Sequence, residues 1–136
     1  MKHLAPVLSV AALLLAAGLA TSALAASPAE LLAGYVKQAG APASAERGQR
    51  LFVKKFENDF DWTCATCHTA NPLQPGQHAI TGKPIPPLAP ATQADRLNNL
   101  TQVEFHFRLN CRDVVGRECT AGEKADVMSW LISLKR

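Results

Sequence analysis

Residues 61–70 read DWTCATCHTA, and within them Cys64, Cys67 and His68 are spaced Cys-x-x-Cys-His. Two thiols at this spacing can add across the vinyl groups of a haem while the imidazole that follows coordinates its iron. A thioredoxin-like dithiol would need a strand leading into Cys64 and alternating strand and helix around it, and neither is visible. A zinc site would have to recruit Cys111 and Cys119, which lie eight residues apart rather than three. The spacing therefore predicts one covalently attached haem c, with Cys64 and Cys67 as thioethers and His68 as the proximal iron ligand.

What stands opposite His68 decides the chemistry. The side chains after it that could ligate iron are His78, Lys83, His106, Asn110 and Met128, since the other methionine is Met1. Met128 would make an electron-transfer cytochrome of raised potential, but Val127, Trp130, Leu131 and Leu134 around it carry an apolar helical stripe, where packing is its expected duty. His78 is only ten residues beyond His68, in the segment expected to cover the proximal side. His106 and Asn110 are four apart and share one face of any helix that carries both.

These residues need elements to position them, and helix-start signals dominate the chain. Capping boxes stand at Ser27-Pro-Ala-Glu30, Thr101-Gln-Val-Glu104 and Thr120-Ala-Gly-Glu123, each with a hydroxyl at the cap and a carboxylate three residues on. The first predicts a helix running to Gly40. A second helix is predicted from Ser44 to about Lys55, with Gly48 and Phe52 on one face, where a glycine suits close crossing by the last helix. Between the Cys-x-x-Cys-His motif and Thr101 lies NPLQPGQHAITGKPIPPLAPATQ, with six prolines and two glycines. This is a long loop, expected to wrap the proximal haem edge. A carbonyl near Pro84 to Pro87 is expected to accept from the second nitrogen of His68 and fix its tautomer. The expected fold is all-α.

The first 25 residues combine Lys2, an apolar run from Leu4 to Ala20 and small residues ending Ala23-Leu24-Ala25. They read as a secretory signal peptide cleaved after Ala25, leaving residues 26–136 as one domain in the periplasm with no stable membrane insertion. In that oxidising compartment Cys111 and Cys119 read as a disulfide, with Gly116 to turn the chain between them, and closing so short a loop stabilises by roughly 2 to 3 kcal/mol in the chain-entropy model. The whole chain has 14 Lys and Arg against 11 Asp and Glu; without Lys2 the balance is +2, too weak to predict nucleic-acid binding.

From residue 27 to 134 the chain resembles the sphaeroides haem protein (SHP) family, small exported monohaem cytochromes c. The resemblance is most specific in SPAELLAGYVKQAGAPASAERGQRLF, in CATCH, in PPLAP, and above all in NCRDVVGRECTAGEKADVMSWL. It implies a class I cytochrome c-like fold of four or five helices around the haem, with Asn110 as the distal ligand and Cys111 bridged to Cys119. It also implies binding of oxygen and nitric oxide, with nitric oxide dioxygenation or reduction of oxygen and small nitrogen oxides among the reactions of such a site. The electron donor it implies is a dihaem cytochrome c tied to a membrane cytochrome b. The chemistry of an amide agrees: it is neutral and a weak donor, so Asn110 should favour high-spin ferric iron and hold ferrous iron poorly. The alternative is a low-spin electron shuttle closed by Met128 or His106.

Overall fold

The computed structural model describes residues 26–57 and 59–136. The signal peptide read in residues 1–25 lies outside the described residues. Five helices carry the fold: α1 (Pro28–Ala39), α2 (Ala45–Val53), α3 (Cys64–His68), α4 (Leu100–Val115) and α5 (Ala121–Ser133). Within the proline-rich loop two short strands, β1 (Gly76–Gln77) and β2 (Pro84–Ile85), pair antiparallel with Gly76 opposite Ile85. No helix among the described residues is long and apolar enough to cross a membrane.

Each helix begins where a side chain can satisfy its orphan N–H groups. Ser27 Oγ accepts from Glu30 N at 3.2 Å, and the Glu30 carboxylate accepts from Ser27 N at 2.7 Å. Thr120 and Glu123 repeat the arrangement ahead of α5. Ser44 caps α2, which ends at Val53 rather than near Lys55. The box at Thr101 does not form. Asn99 caps α4 instead, its side-chain oxygen accepting from Gln102 N at 3.0 Å. The reason is competition: an asparagine two residues earlier is as good a cap, and the Glu104 carboxylate is drawn away to Lys124 and Tyr35.

α5 packs against both α1 and α2. A Cβ at Gly48 would sit 2.0 Å from the carbonyl oxygen of Asp126, so only glycine lets α2 lie this close to α5. The half-exposed Arg47 reaches the buried Asp126 with Nε at 2.7 Å and Nη2 at 2.8 Å, and Ser44 N donates to the same carboxylate at 2.6 Å. Three charge-assisted bonds thus compensate the desolvation of one carboxylate and tie the start of α2 to the middle of α5.

The core has two lobes. Leu31, Tyr35, Val103, Ala125 and Met128 form one, joining α1, α4 and α5. Phe52, Val127, Trp130 and Leu131 form the other, with Cys64 and Ala65 of α3 packed against it. Leu97 and Phe107 touch both lobes. Fully burying each large side chain is worth about 1.5 to 3 kcal/mol, so these lobes are what hold α3 and α4 in a common frame.

Candidate haem-attachment site

α3 is a single turn and a half, and its five residues are CATCH. It starts because Thr66 Oγ1 accepts from Thr63 N at 2.9 Å while Thr66 N donates to Thr63 O at 3.0 Å. At helical spacing Cys64, Cys67 and His68 fall on adjacent turns of one face. The helix stops at once after His68, where Thr69 takes φ +60°, a left-handed value that costs a side-chain-bearing residue energy. Its hydroxyl steadies that corner by donating to Asn71 O at 2.8 Å.

The imidazole of His68 lies against the second lobe, its ring 6.2 Å from that of Phe52, which in turn meets Trp130 at 4.9 Å with the ring planes tilted by 60°. Burial first, then the charges of Arg96 and His106, push His68 down to about 4, so the ring is neutral at neutral pH. A neutral imidazole is the form that ligates metal. Among the described residues its Nδ1 is buried without a hydrogen-bond partner. Burial likewise pushes the Cys64 thiol up to about 11. Two thiols and a neutral imidazole on one short helix, with a ring nitrogen the protein leaves unpaired, fit a haem held by two thioethers and one axial bond.

The loop closes over this helix from the other side. A Cβ at Gly76 would fall 1.9 Å from the carbonyl oxygen of Cys67, and Ala79 N donates to Cys67 Sγ at 3.4 Å. The carbonyl expected from Pro84 to Pro87 does not reach His68. Pro87 O accepts from Arg96 Nε at 3.1 Å and Pro86 O from Arg96 Nη2 at 3.3 Å, because a guanidinium is the stronger donor and its fork matches two neighbouring carbonyls. Farther back, Pro72 O accepts from both Leu88 N and Ala89 N. Arg96 carried no signal in the sequence. Gly76 did, as a glycine inside a proline-rich run.

α4, whose Phe107 packs on the same lobe as Cys64 and Ala65 of α3, bears the remaining candidates. Val103, Cys111 and Val114 are buried and Phe107 is half-buried; His106 and Asn110 lie one turn apart along the edge of that stripe, both exposed. Neither makes a side-chain hydrogen bond among the described residues. Cys111 is bonded to Cys119 with 5.6 Å between their Cα atoms, and Gly116 turns the chain between them at φ +77°. Two of the four cysteines are thereby removed from any zinc site, and no cluster of three or more His, Cys, Asp or Glu among the described residues could hold a metal ion.

The other candidates are engaged elsewhere. Met128 is fully buried between Leu31, Tyr35, Val103 and Ala125. His78 Nδ1 accepts from Ile80 N at 3.2 Å and Thr81 N at 3.3 Å, which makes it the cap of a turn. Lys83 lies exposed in the loop. A network absent from the sequence reading anchors α4 instead: Tyr35 donates to Glu104 Oε1 at 2.5 Å, and Lys124 Nζ donates to both Glu104 oxygens at 3.0 and 2.8 Å. Burial first, then the bond to Glu104 and its charge, push the Tyr35 hydroxyl up.

Residues 38–131 match the family model described as a domain of unknown function, DUF1924. Cytochrome c-type protein SHP of Cereibacter sphaeroides is 49% identical over 123 residues, covering 88% of this chain and 95% of that protein. Cytochrome c'' of Methylophilus methylotrophus is 38% identical over 88 residues, 63% of this chain and 61% of that protein. Among solved structures, oxidized SHP, described as an oxygen binding cytochrome c, superposes with a TM-score of 0.77 at 47% identity over 80% of this chain and 98% of that one. The solution structure of cytochrome c'', described as giving insight into haem-ligand detachment, reaches 0.71 at 33% identity over 80% and 94%.

Proposed function

Because the chain belongs to the SHP family of c-type cytochromes, with one covalently attached haem c, we propose that Cys64 and Cys67 hold that haem as thioethers, that His68 is its proximal ligand, and that Asn110 is a releasable distal ligand. The haem supplies a redox-active iron with one exchangeable coordination position, open to small diatomic ligands such as oxygen and nitric oxide. The observation that carries this reading is Asn110 itself. It is exposed, free of side-chain hydrogen bonds among the described residues, and directly beside the buried half of the Cys111–Cys119 bridge.

An amide oxygen is neutral and donates weakly. With the haem bound, Asn110 would therefore hold ferric iron better than ferrous iron and would be released on reduction. The bridge at its neighbour limits how far the end of α4 can swing, so Asn110 stays within reach to rebind. His68 remains fixed throughout, packed beside Phe52 on α3. The descriptions of SHP as oxygen binding and of the cytochrome c'' structure in terms of haem-ligand detachment support the same sequence of events. We further assign residues 1–25 as a signal peptide cleaved after Ala25, placing residues 26–136 in the periplasm. The electron donor that fits the family resemblance is a dihaem cytochrome c linked to a membrane cytochrome b.

A second reading keeps His106 as a permanent sixth ligand in a low-spin electron shuttle, and its place on the same edge of α4 favours it over the other alternative, Met128, which is sealed in the core. The ferric absorption spectrum separates the two. A high-spin wild-type spectrum that changes in Asn110→Ala, with faster ligand entry in the reduced protein, is expected from release of the amide. A low-spin spectrum indifferent to Asn110→Ala, with no uptake of carbon monoxide after reduction, would overturn it.

A further inference from the structure

We propose that His106 discriminates among diatomic ligands, donating a hydrogen bond from its imidazole to a polar guest held beside Asn110; the inference rests on the ligand-release reading above.

The argument starts from how α4 distributes its polar side chains. Residues along a helix advance by about 100° each, so the apolar stripe of Val103, Phe107, Cys111 and Val114 has a polar residue on either edge. On one edge Glu104 is consumed by Tyr35 and Lys124, which fasten that side of α4 to α1 and α5. The opposite edge holds His106 and Asn110, one turn apart, and neither has a side-chain hydrogen bond among the described residues. The anchored edge faces the first lobe of the core, so the free edge cannot turn inward without breaking three bonds.

Of the two other histidines of the described chain, His78 is occupied as a turn cap, and His68 is half-buried on α3 with its Nδ1 enclosed. The ring of His106 stands edge-on to Phe105, with centroids 5.5 Å apart and planes at 73°. That contact leaves its N–H free to donate, and the i,i+4 spacing on α4 puts His106 one turn from Asn110 on the same edge, within reach of a guest held beside the amide.

A donor there is selective by chemistry. Oxygen draws more electron density onto its outer atom than carbon monoxide does, so one N–H should slow the loss of oxygen far more than the loss of carbon monoxide. Asn110 cannot serve both as the departing ligand and as a fixed donor. His106, a turn away on the same edge, can hold its position while the amide leaves.

The test uses the reduced holoprotein and stopped-flow measurement of oxygen and carbon monoxide dissociation. His106→Phe is expected to speed oxygen loss roughly tenfold, the upper range for one neutral hydrogen bond, with carbon monoxide loss changed less than about twofold. His106→Gln, which keeps an N–H donor, should recover part of the difference, and the C–O stretching band should shift in the Phe variant but less in the Gln variant. The ferric spectrum of His106→Phe should keep its wild-type form. An unchanged oxygen rate, or equal changes for both gases, overturns the proposal. So does an altered ferric spectrum, which would make the imidazole an iron ligand. Asn110→Ala, measured alongside, tests the ligand-release reading separately, because its ferric spectrum should change whatever His106 does.

Discussion

Gly48→Ala probes the crossing of α2 and α5, on which the proximal side of the site rests. Built on the existing backbone, the new Cβ lies 2.0 Å from Asp126 O, 2.4 Å from its carbonyl carbon and 2.8 Å from Val127 N, whereas ordinary contact begins at 3.4 Å. All three obstacles are backbone, so no side chain can rotate away, and the helices must part by about 1.4 Å, the difference between 3.4 and 2.0 Å. Alanine would gain up to about 1 kcal/mol in helix propensity. Against that stand overpacking, typically about 1 to 3 kcal/mol and sometimes more, and the weakening of the Arg47–Asp126 bonds and the Phe52–Trp130 contact, which share the interface. A net loss of about 2 to 3 kcal/mol is expected, which lowers the melting temperature of a domain this size by roughly 10 °C or more. Gly34→Ala is the control, since nothing lies within 4 Å of a Cβ there; it should gain about 0.5 to 1 kcal/mol. Thermal unfolding of the holoprotein followed by circular dichroism reads both. A Gly48→Ala variant that melts at or above the wild-type temperature would refute the argument that close backbone approach requires glycine at this crossing.

Two further outcomes follow from the same geometry. Replacing both Cys111 and Cys119 by serine should lower stability by roughly 2 to 3 kcal/mol in urea unfolding, and the same double variant should rebind Asn110 more slowly on reoxidation; identical unfolding midpoints would remove the bridge from the account. At Glu104, burial pushes the carboxyl up, but the bonds from Lys124 and Tyr35 and the charges of Lys124 and Arg108 outweigh it and leave the group below its ordinary value of 4.5. The unfolded chain therefore takes up the proton first, so this stabilisation is complete above about pH 4.5 and fades as pH falls through the lower folded value. Glu104→Gln should flatten the acid limb of a stability–pH profile, and an acid limb identical to wild type would contradict that assignment.

What the sequence revealed tracks the distance over which each interaction acts. The thiols and imidazole of residues 64–68 and the caps at Ser27, Ser44 and Thr120 depend on neighbours three or four residues away, so spacing alone exposed them. Gly48 was readable too, as a small residue placed one turn from Phe52 on a face that another helix had to meet. Tyr35 reaches Glu104 across 69 residues, and Arg96 meets Pro86 and Pro87 only because the loop folds back on itself. Neither pairing has a local pattern. The missed cap at Thr101 shows the converse: a pattern can be locally sound and still lose to an equally good cap at Asn99 when its carboxylate has a partly buried cation to meet. The proximal carbonyl failed for a related reason, since residue type predicted an acceptor near Pro84 to Pro87 but could not predict which donor would claim it.

The contact of Gly76 with the carbonyl of Cys67, together with the Ala79 N–H on its sulfur, bears on how the molecule matures. If Cys67 takes the thioether proposed for it, segment 76–79 rests against a covalently modified residue, and seating of that loop and attachment of the haem act on the same sulfur.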